Sequence, residues 1–297
     1  MGYGQYSTVD RASRSIDLGY ATKSFEQVFT QRQIHPDMNP RDVKIRESRD
    51  SADHPNTVSI VLALDVTGSM GVIPHQLIKE GLPTIMGTII EAGIPDPQLL
   101  FLAVGDHKCD ASPLQVAQFE SSDALLDHWL TSVWPEGGGG GNGGESYGLA
   151  HYFAAYHTVL DSFEKRGQKG FLFTIGDENN HKSYPASAIK EIMGSSEAST
   201  FTSAELIAKA KETYNVYHLF IGYSSDVYHG WAEVLGENCI KIANITDIPK
   251  TIARIVFENT KTVEKSTVIT EPHPYGSTPE NPILGPSKDN PPSFQML

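Results

Sequence analysis

Between Thr57 and about Lys261, short apolar runs alternate with stretches whose apolar positions recur at helical spacing, a pattern that the flanking residues lack. Five runs are apolar almost without interruption: TVSIVLALDV (57–66), QLLFLAVGD (98–106), GFLFTIGD (170–177), NVYHLFIGY (215–223) and NCIKIA (238–243). Strands buried on both faces read this way. PLQVAQFE (113–120) alternates instead and follows the second run after a short polar connection, which predicts an antiparallel edge strand. Helical spacing predicts helices over 74–92, 121–133, 145–163, 202–214, 228–236 and 246–260, with Ser121 or Ser122 and Thr246 placed to cap two of them. The alternation predicts an α/β fold: a doubly wound, mostly parallel six-stranded sheet of Rossmann-like type with one antiparallel edge strand and helices on both faces.

Three zones follow: a polar N-terminal arm (1–56), the periodic domain (57–261) and a tail (262–297) that holds seven of the 18 prolines. Within the arm, SFEQVFTQRQI (24–34) suits one amphipathic turn or strand, but apolar residues are too sparse for a separate core, so the arm is expected to drape over the domain or a partner. Proline every few residues predicts an extended linker or peptide arm for the tail.

Charge narrows the function. Residues 1–56 hold eight Lys/Arg and eight Asp/Glu, so the remainder carries the whole net charge of −13, which argues against nucleic acid as a partner. Cys109 and Cys239 are the only cysteines, too few for a thiolate zinc site, and they suit a reducing compartment. No run approaches a membrane span and the first residues lack a secretory apolar segment, so the expectation is a soluble cytoplasmic protein with no membrane contact.

Ligands bind at the carboxyl ends of parallel strands. The first strand delivers Asp65, Thr67 and Ser69 there, a carboxylate and two hydroxyls at alternate positions on a glycine-containing turn. Oxygen donors alone suit a hard cation such as Mg²⁺. The fourth predicted strand, GFLFTIGD, delivers Asp177 to the same rim, and between them lies a glycine-rich loop, Gly137 to Gly144, containing Asn142 and followed by Glu145 and Ser146. That loop lacks the GK[ST] ending of a phosphate-binding loop. Asp106, His107, Cys109 and Asp110 form a further polar group, for which solvation in a surface hairpin is the expectation. His181 reads as a loop histidine, and Trp134 as an exposed aromatic anchor.

At these residues the chain resembles the von Willebrand factor type A (VWA) domain with its metal-ion-dependent adhesion site (MIDAS), over about 205 residues. That family writes its first loop DxSxS, places Thr or Asp on a Gly-rich second loop and Asp after the fourth strand. Here Asp65, Thr67 and Ser69 match the first element, with Thr for the first Ser, and Asp177 matches the third. The second loop departs from the pattern: Asn142 stands where Thr or Asp is usual, and Glu145 is a competing donor.

The resemblance implies a binding module rather than an enzyme. It would hold Mg²⁺, with Mn²⁺ or Ca²⁺ as alternatives, and use the open metal position to capture an Asp or Glu of a protein partner. By the same resemblance that partner is a MoxR-type AAA+ ATPase or a multi-protein assembly served by this adaptor. Two other readings of the rim stay open. One is a metal-assisted phosphoester hydrolase, although such enzymes carry an acid where this chain has Thr67. The other is occupation of the metal by the tail's own Glu271, Glu280 or Leu297 carboxylate.

Overall fold

The computed structural model describes residues 6–20, 22–71, 73–77, 82–137, 143–194 and 199–267. Asn142 and the tail beyond Thr267 lie outside the described residues. The strands in chain order are β1 (Arg46–Ser48), β2 (Val58–Asp65), β3 (Pro97–Val104), β4 (Leu114–Val116), β5 (Thr158–Leu160), β6 (Gly170–Gly176), β7 (Ser183–Tyr184), β8 (Phe201–Thr202), β9 (Tyr214–Phe220) and β10 (Cys239–Lys241). The helices are α1 (Thr8–Asp17), α2 (Phe25–Val28), α3 (Ile73–Gln76), α4 (Leu82–Glu91), α5 (Asp123–Thr131), α6 (Tyr147–Tyr156), α7 (Asp161–Arg166), α8 (Ala186–Met193), α9 (Ser203–Thr213), α10 (Ser225–Leu235) and α11 (Ile248–Thr267).

Six strands form the central sheet in the order β10-β9-β6-β2-β3-β4, parallel throughout except for β3 with β4. This is the sheet that the apolar runs predict. Residues of β2, β3 and β6 are buried along their whole length, so backbone pairing and apolar packing select the same conformation. Helices cover both faces, with α6 packed on α9 and α4 on α11. The chain leaves β2 towards β3 on one side and later returns to β6 on its other side. That reversal opens a crevice at the carboxyl end of β2, where α/β sheets place their ligands.

Three elements differ from the sequence pattern. The helix expected over 145–163 stops at Tyr156, and Thr158–Leu160 become β5, which pairs in parallel with β1 before α7 begins. β-branched Thr158 and Val159 favour a strand once β1 supplies a ladder, and periodicity within one segment cannot register that partner. The edge strand keeps only Leu114–Val116 in regular pairing, and all three are buried. Its outer side is covered by the 3-10 turns Pro36–Met38 and Pro40–Asp42, and Arg46 donates to the Val116 carbonyl (3.4 Å). Finally, Ser122 caps α5 through Leu125 N–H as expected, whereas Thr246 lies within a 3-10 turn preceding α11 and is not its cap.

Residues before 57 join the main core. Tyr20, Val28, Phe29, Met38 and Val43 are buried in the same apolar cluster as the sheet. α1 docks on α5, where Arg14 bonds Asp123 (2.8 Å), Tyr20 donates to Asp127 (2.8 Å), and the buried Arg11 guanidinium pairs with Asp127. Partner charges in one contact make such buried ions tolerable.

Candidate metal centre

β2 ends on Asp65, which is fully buried, and the turn Gly68–Met70 follows at once. Thr67 takes an extended backbone (φ −73°, ψ 170°), so its N–H and hydroxyl both reach back to Asp65 Oδ1, at 2.9 and 2.6 Å. Ser69, exposed at the rim, donates its hydroxyl proton to Asp177 Oδ1 (2.9 Å), and Asp177 follows the last residue of β6. The Thr67 and Ser69 oxygens are 3.2 Å apart. Either hydroxyl can donate to the other, so the four oxygen-bearing side chains form one connected group. The strand register explains the convergence: Leu64 pairs with Ile175, which brings Asp65 level with the end of β6.

The side chain of Tyr147, on the first turn of α6, completes the environment of Asp65, donating to Oδ2 at 2.6 Å. Its hydroxyl sits so near Gly176 that a Cβ there would fall 1.8 Å from the oxygen. Glycine before Asp177 is therefore required by the hydrogen bond to Asp65. Burial raises the Asp65 carboxyl to about 6, opposed by its bonds from Thr67 and Tyr147 and reinforced by Asp177. Burial likewise raises Asp177.

Glu145 is buried beside this rim. Its N–H donates to Asn179 O (2.8 Å) and its carbonyl accepts from His181 N–H (3.1 Å), so the end of the glycine loop is zipped to residues 179–181. Burial, then the charges of Asp65, Asp106, Asp110 and Glu178, push its carboxyl up to about 9, and its Oε2 has no hydrogen-bond partner among the described residues. An orphaned buried carboxyl surrounded by acids is the electrostatic signature of a site short of positive charge. Converging oxygen donors and excess negative charge together fit a hard divalent cation.

The polar group after β3 is not the solvated hairpin expected from sequence. Asp106 is 1% exposed, and His181, 6% exposed, brings Nε2 to 2.6 Å from Asp106 Oδ1. His107 Nδ1 lies 3.9 Å from the same oxygen and 2.7 Å from Ser146 Oγ. Burial, then repulsion from His181, lowers the His107 imidazole to about 4. No spacing in the sequence links His107 to His181; the one available sign was that both follow carboxyl ends of strands adjacent to β2. Trp134 is half-buried rather than exposed, with Gln115 bonded to both its backbone N–H and its carbonyl. His151 and His218 are fully buried behind Tyr147, and burial lowers both, His151 to about 3.

No helix among the described residues is long and apolar enough to cross a membrane. Comparison with known proteins gives likenesses of fold. No protein-family model matches the chain, and no curated protein matches it. Among solved structures, the pilus adhesin SpaC from Lactobacillus rhamnosus GG matches 72% of this chain and 31% of its own, at 10% identity and a TM-score of 0.48. Proximal thread matrix protein 1 from the mussel byssus, with a zinc-occupied MIDAS motif, matches 71% of this chain and 49% of its own, at 10% identity and a TM-score of 0.46. A von Willebrand factor type A protein from Catenulispora acidiphila matches 69% of this chain and 43% of its own, at 13% identity and a TM-score of 0.39. The chain thus spans about a third to a half of the length of these structures.

Proposed function

We propose that this protein is a metal-dependent protein-binding module. Asp65, Thr67, Ser69 and Asp177 would hold a divalent cation, Mg²⁺ first and Mn²⁺ or Ca²⁺ as alternatives, with Asn142 or Glu145 as the second-loop donor. One observation carries the reading: Asp65, Thr67, Ser69 and Asp177 converge in one chain of oxygen contacts, 2.6, 3.2 and 2.9 Å long, at the switch point of the sheet. A cation there would supply a positive charge able to accept one further anion. The protein's own residues set its terms: Tyr147 and Thr67 hold the Asp65 carboxylate in place, and exposed Ser69 and half-buried Asp177 leave the site open to a partner.

The partner's contribution is an Asp or Glu side chain. A chain of net charge −13 repels acidic surfaces, so a cation at the contact makes capture conditional on metal. An AAA+ ATPase of the MoxR type, or an assembly in which this chain is an adaptor, is the partner class proposed from the sequence resemblance, in the cytoplasm. Both cysteines are free thiols, which supports a reducing location. Hydrolysis of phosphoesters is the alternative. Thr67 argues against it, because its hydroxyl is spent on Asp65 where a hydrolase of that type needs an acid.

Calorimetry of Mg²⁺ into wild type and Asp65→Ala, with partner pulldown in Mg²⁺ or EDTA, tests the proposal. Loss of Mg²⁺ binding in the variant, together with loss of the captured partner in both the variant and EDTA, is the expected result. Capture that survives in Asp65→Ala overturns it, and metal-dependent phosphoester turnover replaces it with the hydrolase.

A further inference from the structure

We propose that Asp106, His107 and His181 form a second metal site, specific for a first-row transition cation of the zinc class and separate from the oxygen site at Asp65. One ligand atom from each of the three residues lies within 4.8 Å of the others. Ligand atoms about 2.1 Å from a tetrahedral ion are about 3.4 Å apart. The two separations known here, 2.6 Å for His181 Nε2 and 3.9 Å for His107 Nδ1 from Asp106 Oδ1, lie on either side of that value. The imidazole rings stand at 90° with centroids 5.0 Å apart, so they approach Asp106 from different directions instead of stacking.

The surroundings hold these groups in place. Lys108 N–H and the Cys109 thiol donate to Asp106, at 3.0 and 3.3 Å, while Asp106 N–H donates to Asp110, so the loop after β3 is wrapped around the carboxylate. Ser146 Oγ accepts from the His107 backbone N–H, and its hydroxyl, 2.7 Å from His107 Nδ1, would yield that nitrogen's lone pair to the metal; His181 N–H is tied to Glu145 O. Gly144 allows this closeness, because a Cβ there would lie 3.0 Å from His181 Nδ1. Groups that orient ligands in this way are what make metal sites tight.

Donor chemistry separates the two sites. Two imidazole nitrogens with one carboxylate suit zinc and its neighbours, whereas Mg²⁺ prefers oxygen alone. Asp106 is a buried carboxylate with Asp110 and Glu145 nearby, and a dication offsets that accumulated negative charge. His107 and His181 also line a cavity of about 820 Å³, shared with Lys108, Lys182 and Trp231. An ion held by three protein ligands therefore keeps its remaining position towards open space, as a site with an exchangeable ligand must.

The test is Co²⁺ titration of the metal-stripped full chain in excess Mg²⁺, followed by visible absorption. We expect tetrahedral-type bands that saturate at one Co²⁺ per chain, disappear on adding Zn²⁺ and persist in Asp65→Ala. His181→Ala and His107→Ala should weaken Co²⁺ binding on the order of 100-fold while Mg²⁺ binding is retained. Absence of bands in wild type, their persistence in both histidine variants, or their loss in Asp65→Ala overturns the proposal. Zinc-edge X-ray absorption on the loaded wild-type chain requires no variant to fold: two imidazole scatterers support the site, and none refutes it. These results stand whether or not the Asp65 site captures a partner.

Discussion

Asp65 and Asp106 lie at the carboxyl ends of adjacent strands, yet their surroundings have opposite character. Around Asp65 the donors are oxygens, they reach the surface through Ser69, and three of them come from five consecutive residues. Around Asp106 the donors include two imidazoles, the group is largely buried, and its shortest contact joins residues 75 positions apart. One crevice in one sheet therefore sets exposed oxygen donors beside a more deeply buried group that includes imidazole nitrogens. The strand ends decide where chemistry happens, and the loops decide which ion it favours.

The sharpest way to break this comparison is a crossed pair of substitutions. Asp65→Ala should reduce Mg²⁺ affinity by on the order of 100-fold or more and leave Co²⁺ binding intact, and His181→Ala should do the reverse. If either change abolishes both, the two regions are one site. Calorimetry with each ion on each variant decides the matter.

Gly176→Ala should act on the Asp65 side alone. A methyl group 1.8 Å from the Tyr147 hydroxyl forces that ring away, at an expected loss of about 2 to 3 kcal/mol in thermal or urea unfolding, with weaker Mg²⁺ binding and unchanged Co²⁺ binding. Tyr147→Phe is the milder version, removing only the 2.6 Å bond to Asp65. Mg²⁺ affinity should fall about tenfold, and Gly176→Ala should stay the more severe change even in a Tyr147→Phe background, because the added Cβ would still lie 2.7 Å from the ring carbon Cζ.

Acid sharpens the contrast further. With the Asp65 carboxyl at about 6, protons compete with Mg²⁺ below that pH, so affinity should drop about tenfold per pH unit there and be level above it. Calorimetry across pH measures this directly.

The smallest expected effect is on the metal-free fold. Glu145 has a folded value of about 9, above its ordinary 4.5, so the folded state holds the proton more tightly than the unfolded one. Its contribution is complete below about 4.5 and is lost as pH rises through about 9. Glu145→Gln cannot ionise, so its melting temperature should gain on that of wild type as pH rises through this window; a constant difference would refute the assignment.

Much of this architecture could be read from residue order. Continuous apolar runs identified the buried strands, alternation in PLQVAQFE marked the antiparallel edge, and the β2 turn announced its oxygen donors, since Asp65, Thr67 and Ser69 need only one short loop to converge. These are local properties: a strand buried on both faces must be apolar throughout, and a turn places alternate side chains on one side. Contacts between distant segments left no such trace. The β1–β5 ladder that ends α6, the N-terminal residues in the core, Tyr147 on Asp65 across 82 positions, and His181 on Asp106 all depend on surfaces that exist only after the sheet has formed. Hydrophobic pattern and turn chemistry act between neighbours in sequence. Hydrogen bonds and charges that complete a site act between neighbours in space, and folding alone makes those neighbours.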